Sequence, residues 1–165
     1  MLFRSFRNAR GLIAYTQPHE DGPAYHPVVA TLSLGAHTVF NYYQYIADPS
    51  DTSDPSSPRT GRPIDSKPIL TLLLEPRSLV ITTSSLYSAH LHGIEELFED
   101  KFDIDGTTPQ QRIANFDALK DPKARGAIEA GGILERGLRY SLTCRDVERV
   151  SAAGGALLKK LLGQE

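Results

Sequence analysis

The chain has 165 residues, of which 40% are hydrophobic and 23% charged, and its formal net charge is −2. A chain of this length buries roughly 70% of its unfolded surface, so one domain can form a core without staples. Its single cysteine, Cys144, excludes an intramolecular disulfide and favours a reducing compartment, nucleus or cytoplasm. No apolar run reaches the ~18 residues of a membrane span, and the overall charge lacks the basic excess of a nucleic-acid-coating protein, although a local basic groove is compatible with it.

The first residues, Met1 to Asn8 (MLFRSFRN), mix phenylalanine with arginine but are too short for a transit sequence. The run Val28 to Leu34 reads as a buried strand closed by Gly35, and His37 to Tyr45 reads as a second strand. The tight connection predicts that these two pair as a hairpin. From Ala47 to Pro68 the chain holds five prolines among many serines and aspartates. With little apolar surface to bury, residues 47–68 read as a flexible insert.

Strands are expected again at Ile69–Leu74, Leu79–Thr83 and Tyr87–Ile94. Residues 97–132 are polar and mixed, with a helix-like piece around Gln110 to Leu119, and read as a second insert. Arg139 to Val147 alternates as a last strand, and Ser151 caps an expected final helix with Leu157, Leu158, Leu161 and Leu162 at helical spacing. Five or six short strands without alternating helices predict a mainly β fold, a sandwich or jelly roll, in one domain spanning 1–165.

Three signals carry chemistry. In an extended His19-Glu20-Asp21, His19 and Asp21 share a face, so an imidazole and a carboxylate can reach one metal ion. A second imidazole would complete the two-histidine, one-carboxylate set that leaves iron with open positions. His92 and His90 are both candidates by spacing, and His37 and His26 are also available. The last strand places Arg139, Ser141, Thr143 and Arg145 on one face, an arrangement suited to a small dicarboxylate, because guanidinium forks match carboxylates.

The order HxD, then His-Gly, then RxSxTxR resembles the AlkB family of Fe(II)/2-oxoglutarate dioxygenases, in which the last motif is usually RxNxTxR. PHEDGPAYHPVVATLSLGAHTV, LLLEPRSLVI, LHGIEE and RGLRYSLTCRDVERV carry the resemblance over most of residues 18–46, 69–96 and 136–150. It implies a double-stranded β-helix with iron on His19, Asp21 and His92. It further implies that Arg139 pairs with the distal carboxylate of 2-oxoglutarate, assisted by Ser141, with Arg145 near the metal-binding end. Oxidative demethylation of alkylated DNA or RNA by a monomer is the implied activity. A protein or small-molecule substrate, and an inactive binding module, are the alternatives. The family has a longer segment before HxD, with an Asn-x-Tyr that contacts the co-substrate. Here 18 residues precede His19 and Arg10 follows Asn8 by two, so an N-terminally truncated domain is expected.

Overall fold

A computed structural model describes the backbone of residues 2–4 and, with side chains, residues 16–46, 62–103 and 112–147. The start of the chain beyond 2–4 (Asn8 and Arg10 included), most of the first insert and the expected final helix lie outside the described residues. Two four-stranded antiparallel sheets face each other. In the first, β1 (Leu2–Arg4), β10 (Arg139–Arg145), β3 (Val28–Gly35) and β6 (Leu79–Thr83) lie in that order. In the second the order is β2 (Thr16–His19), β7 (Leu91–Ile94), β4 (Thr38–Tyr43) and β5 (Leu70–Leu74). This is the jelly roll that the strand pattern predicts.

The expected hairpin between the second and third strands does not form. β3 pairs with β10 and β6, whereas β4 pairs with β5 and β7. Gly35 explains the crossing. At φ +83° it bends the chain out of the first sheet, and a Cβ there would sit 2.3 Å from the Leu138 carbonyl oxygen. The next residue, Ala36, donates its N–H to that oxygen at 2.8 Å, so this turn is fastened to the start of β10 rather than to β4.

All six residues of β4 are buried because both of its faces are covered. Phe40 and Tyr42 point between the sheets and pack with Leu74 and Ile94. On the other face, Val39 and Leu73 pack with Phe102, Ile113, Leu119, Ala124 and Leu134. A strand covered on both sides reads as an unbroken apolar run rather than an alternating one. Residues 97–132 therefore supply much of one core. Among their described residues the helix is α2 (Pro122–Glu129), and 112–119 is not one, with Asp121 accepting from the Lys123 N–H as its N-cap. Residues 116–118 form only a 3-10 turn. The antiparallel pair of β8 (Glu99–Lys101) and β9 (Ile133–Glu135) completes this layer. The described end of the first insert is also paired: Ile46 donates to Pro63 and Asp65 to Gln44, each at 2.9 Å.

A buried ion pair clamps the layer. Arg136 Nε donates to Asp100 Oδ2 at 2.8 Å and Nη2 to Oδ1 at 2.5 Å, with both side chains under 5% exposed. Burial pushes the Asp100 carboxyl up, but His37 and Arg136 outweigh it and hold it below the usual range. Because its folded pKa is depressed, this stabilisation is present above the unfolded pKa near 4 and is lost as pH falls through the folded one. Arg136→Met should cost about 3 kcal/mol in urea unfolding at neutral pH, since Asp100 would be left buried without its main partner. A cost below about 1 kcal/mol would show that the clamp is dispensable.

Candidate metal and dicarboxylate site

The pocket between the sheets is lined by His19, Asp21 and His92 on one side and by Arg139, Ser141, Thr143 and Arg145 on the other. Its position follows from an inversion of the first sheet. The inward residues of β3 and β10 are mostly hydroxyls and arginines, while the outward Leu79 and Ile81 of β6 are 58% and 57% exposed. An apolar strand face turned outward leaves a polar one for the interior.

His19 ends β2 and stands opposite His92 in β7, their ring centroids 4.5 Å apart. Gly93 permits this approach. A Cβ at Gly93 would lie 2.9 Å from the Thr16 carbonyl oxygen and 3.0 Å from the Pro18 nitrogen, both backbone atoms of β2. Gly93→Ala should therefore push β2 outward, lower stability by about 1–3 kcal/mol and weaken metal binding with it. Thermal unfolding alongside a metal titration checks this, and unchanged metal affinity would mean that His19 tolerates the shift.

The three side chains offer ligand atoms within 4.8 Å of one another. His19 Nδ1 lies 2.8 Å from the Gln17 carbonyl oxygen, which as an acceptor fixes the proton on Nδ1 and leaves the Nε2 lone pair free. Burial, and then the neighbouring His19, lower the His92 pKa to about 4 against the weaker opposing pull of Asp21. His92 is thus neutral at physiological pH, the form that ligates metal. Phe40 stacks on the His92 ring at 5.4 Å and holds its plane.

The Asp21 side chain is 2% exposed, yet its two oxygens differ. Oδ1 accepts from Arg145 Nε at 2.7 Å and from Arg145 Nη2. Oδ2 lies 3.8 Å from His92 Nε2 and has no hydrogen-bond partner. A buried carboxylate oxygen without a partner is costly, and a cation seated between it and the two imidazoles would satisfy it. The donor set of two nitrogens and one anionic oxygen fits Fe(II) with open positions.

Across the pocket, Arg139 is 4% exposed and its Nη2 donates to Ser33 Oγ at 2.9 Å, while its Nε is buried without a partner. Burial, helped by the nearby Arg136, lowers its pKa to about 10, so it remains charged at neutral pH. The region forms a positive counterpart to a small dianion. Arg145 lies with its guanidinium carbon 5.5 Å from the Tyr25 ring centroid, and Tyr87 steadies the loop after Asp21 by donating to the Gly22 carbonyl at 2.7 Å.

Every site residue expected from the sequence thus lines one pocket. The rival histidines go elsewhere. The expected strand from Tyr87 begins instead as the helix α1 (Ser84–Ser88), entered through Ser84 at φ +55°, and His90 Nδ1 contacts the Ser85 carbonyl at 2.7 Å. His37 faces Asp100 at 3.2 Å, and His26 is exposed. Phe40, Tyr42 and Thr82 were not foreseen. The hydroxyls of Tyr42 and Thr82 meet at 2.6 Å and tie the two sheets together behind His92.

Fold and site together define a jelly-roll protein with a His-Asp-His group capable of holding a metal ion. No family model matches the chain. It is 32% identical over 160 residues to the zebrafish (Danio rerio) protein described as "Probable RNA/DNA demethylase ALKBH6". That similarity takes in 97% of this chain, which spans 58% of the relative's length. The chain is accordingly related to the AlkB family, on the side of ALKBH6.

Proposed function

We propose that the chain forms the catalytic jelly roll of an Fe(II)- and 2-oxoglutarate-dependent dioxygenase that removes N-alkyl groups from nucleic acid. The observation that carries this reading is the placement of the His19–Asp21–His92 group and the buried Arg139 guanidinium on facing walls of one pocket. His19, Asp21 and His92 hold the iron, leaving it open positions. Arg139 and Ser141 take the distal carboxylate of 2-oxoglutarate by charge-assisted hydrogen bonds, and Arg145, already on Asp21, orients that ligand and borders the metal end. Bound iron would activate dioxygen, the oxidant, with 2-oxoglutarate giving up two electrons as it is decarboxylated to succinate; the protein supplies binding, orientation and a site screened from water.

The nucleic-acid substrate rests on the relative's description, and an alkylated base in a duplex would have to be flipped out to reach the pocket. The net charge of −2 favours, as a second reading, a methylated protein or small molecule. A lone exposed Cys144 accords with a nuclear or cytoplasmic setting, and the chain is read as a monomer.

Anaerobic titration of the full chain with Fe(II) and then 2-oxoglutarate tests the site through the visible metal-to-ligand charge-transfer band. Its appearance, followed by formaldehyde and succinate release once dioxygen is admitted with an N-methylated oligonucleotide, is the expected result. A folded chain that develops no band refutes the dioxygenase reading. A band with turnover that no alkylated oligonucleotide stimulates refutes the nucleic-acid substrate alone.

A further inference from the structure

The floor beneath Arg139 holds a side chain that does not line the pocket. Ser33 is fully buried, at 0% exposure, on β3 in register with Ser141 of β10. Its backbone groups are both taken up by the turn before β6: its N–H donates to the Ser78 carbonyl at 2.9 Å and its carbonyl accepts from the Arg77 N–H at 2.7 Å. Only the hydroxyl is left to act, and it accepts from Arg139 Nη2 at 2.9 Å. Two residues further along β3, the Gly35 turn binds Ala36 to Leu138, which pins the start of β10 beside the end of β3. The diagonal from Ser33 to Arg139 is therefore rigid at both backbones.

We infer that Ser33 is a positioning residue: it holds the Arg139 guanidinium in the rotamer that presents its free N–H groups to a dicarboxylate. The inference rests on the dioxygenase reading, since 2-oxoglutarate is the ligand in question. Arg139 Nε is buried without a partner, so the guanidinium has unspent donors. A long arginine side chain has about 2 kcal/mol of rotamer entropy to lose. A hydroxyl that already fixes one N–H lowers the fraction of this entropy lost when the ligand arrives, which is pre-organisation rather than direct contact. A serine is suited to this spot because its hydroxyl gives the guanidinium an acceptor, which alanine would not.

The test compares Ser33→Ala and Ser33→Thr with the unmodified full chain. Three quantities are read: Fe(II) affinity, 2-oxoglutarate affinity from the anaerobic charge-transfer band, and rotation about the Arg139 Cζ–Nη bonds by 15N NMR without ligand. The expected result for Ser33→Ala is a roughly five- to tenfold weaker 2-oxoglutarate affinity, the part of the arginine rotamer entropy that the hydroxyl no longer removes in advance. Fe(II) affinity should stay within about twofold, and guanidinium rotation should become faster. Ser33→Thr should restore both affinity and slow rotation.

Unchanged 2-oxoglutarate affinity in Ser33→Ala, with the parent chain binding normally, overturns the inference and leaves the dioxygenase reading standing. An equal fall in Fe(II) affinity and thermal stability, without rescue by threonine, also overturns it and makes Ser33 a packing residue. A parent chain that binds Fe(II) but no 2-oxoglutarate defeats the underlying reading, and the inference with it.

Discussion

Asp21→Asn should weaken Fe(II) binding by more than about a hundredfold while the metal-free chain keeps its stability to within about 1–2 kcal/mol. The first half follows from the donor set. Asp21 contributes the one anionic ligand beside two imidazoles, and even residues that merely orient metal ligands cost 10–100-fold when removed, so losing the ligand itself exceeds roughly that range. The second half follows from the two unequal oxygens. Asparagine keeps an acceptor for Arg145 where Oδ1 accepts now. It replaces the unpartnered Oδ2 by an amide that can donate towards His92 Nε2, at present 3.8 Å away. The lost charge and the relieved oxygen offset each other.

Asp21→Ala should behave differently, because it leaves the Arg145 guanidinium, 19% exposed, without its carboxylate. Breaking a mostly buried pair from one side costs about 3 kcal/mol. Anaerobic metal titration and urea unfolding of both variants decide the matter. An asparagine variant that still binds Fe(II) within a few-fold of the parent would remove Asp21 from the ligand set.

The site was more legible in the sequence than the strand pairing, for a physical reason. A two-residue period is a local property of an extended chain, so the shared face of His19 and Asp21, and that of Arg139, Ser141, Thr143 and Arg145, could be read without knowing any partner. Hydroxyls and arginines alternating with Tyr140, Leu142 and Cys144 indicate which face is polar. They do not indicate which way it points, and in β10 the polar face points inward. Spacing alone also left His90 beside His92. The structure separates them because His90 sits just past α1, a helix that Thr82-Thr83-Ser84-Ser85 conceals among residues that also suit strands.

What could not be read was set by contacts distant in sequence. Gly35 predicts a turn, but its destination depends on the Leu138 carbonyl a hundred residues later, and a hairpin was the natural local inference. Residues 97–132 looked polar because their apolar members are spaced irregularly. Phe102, Ile113, Leu119 and Ala124 converge, with Leu134 just beyond, only when folded onto the outer face of β4 and β5. That layer has a functional role through β4, since it backs the strand whose Phe40 stacks on His92.

Arg139→Met should raise the stability of the ligand-free chain by about 1–3 kcal/mol and abolish 2-oxoglutarate binding. A cation that is 4% exposed, with Nε unpartnered, opposes folding. Burial lowers its pKa from the usual guanidinium range to about 10, which corresponds to a cost on the order of 3 kcal/mol for carrying the charge at neutral pH. The sign is opposite to that of a salt-bridged base. The cost is present below about pH 10 and would fade as pH rises from there towards the unfolded value. Methionine fills much the same volume without charge, at the loss of one bond to Ser33. Replacing a poorly compensated buried charge by an apolar side chain is commonly stabilising. For a chain of this size the gain is about 2–4 °C in Tm per kcal/mol. Saturating Fe(II) and 2-oxoglutarate should then reverse the order. The dianion satisfies Arg139 in the parent chain, and at a hundred times its Kd it adds about 2.7 kcal/mol to stability. The methionine variant should gain only what the metal confers. A methionine variant less stable than the parent without ligand would assign Arg139 to holding the sheets together. A more stable variant that still responds to 2-oxoglutarate would place the dicarboxylate elsewhere in the pocket.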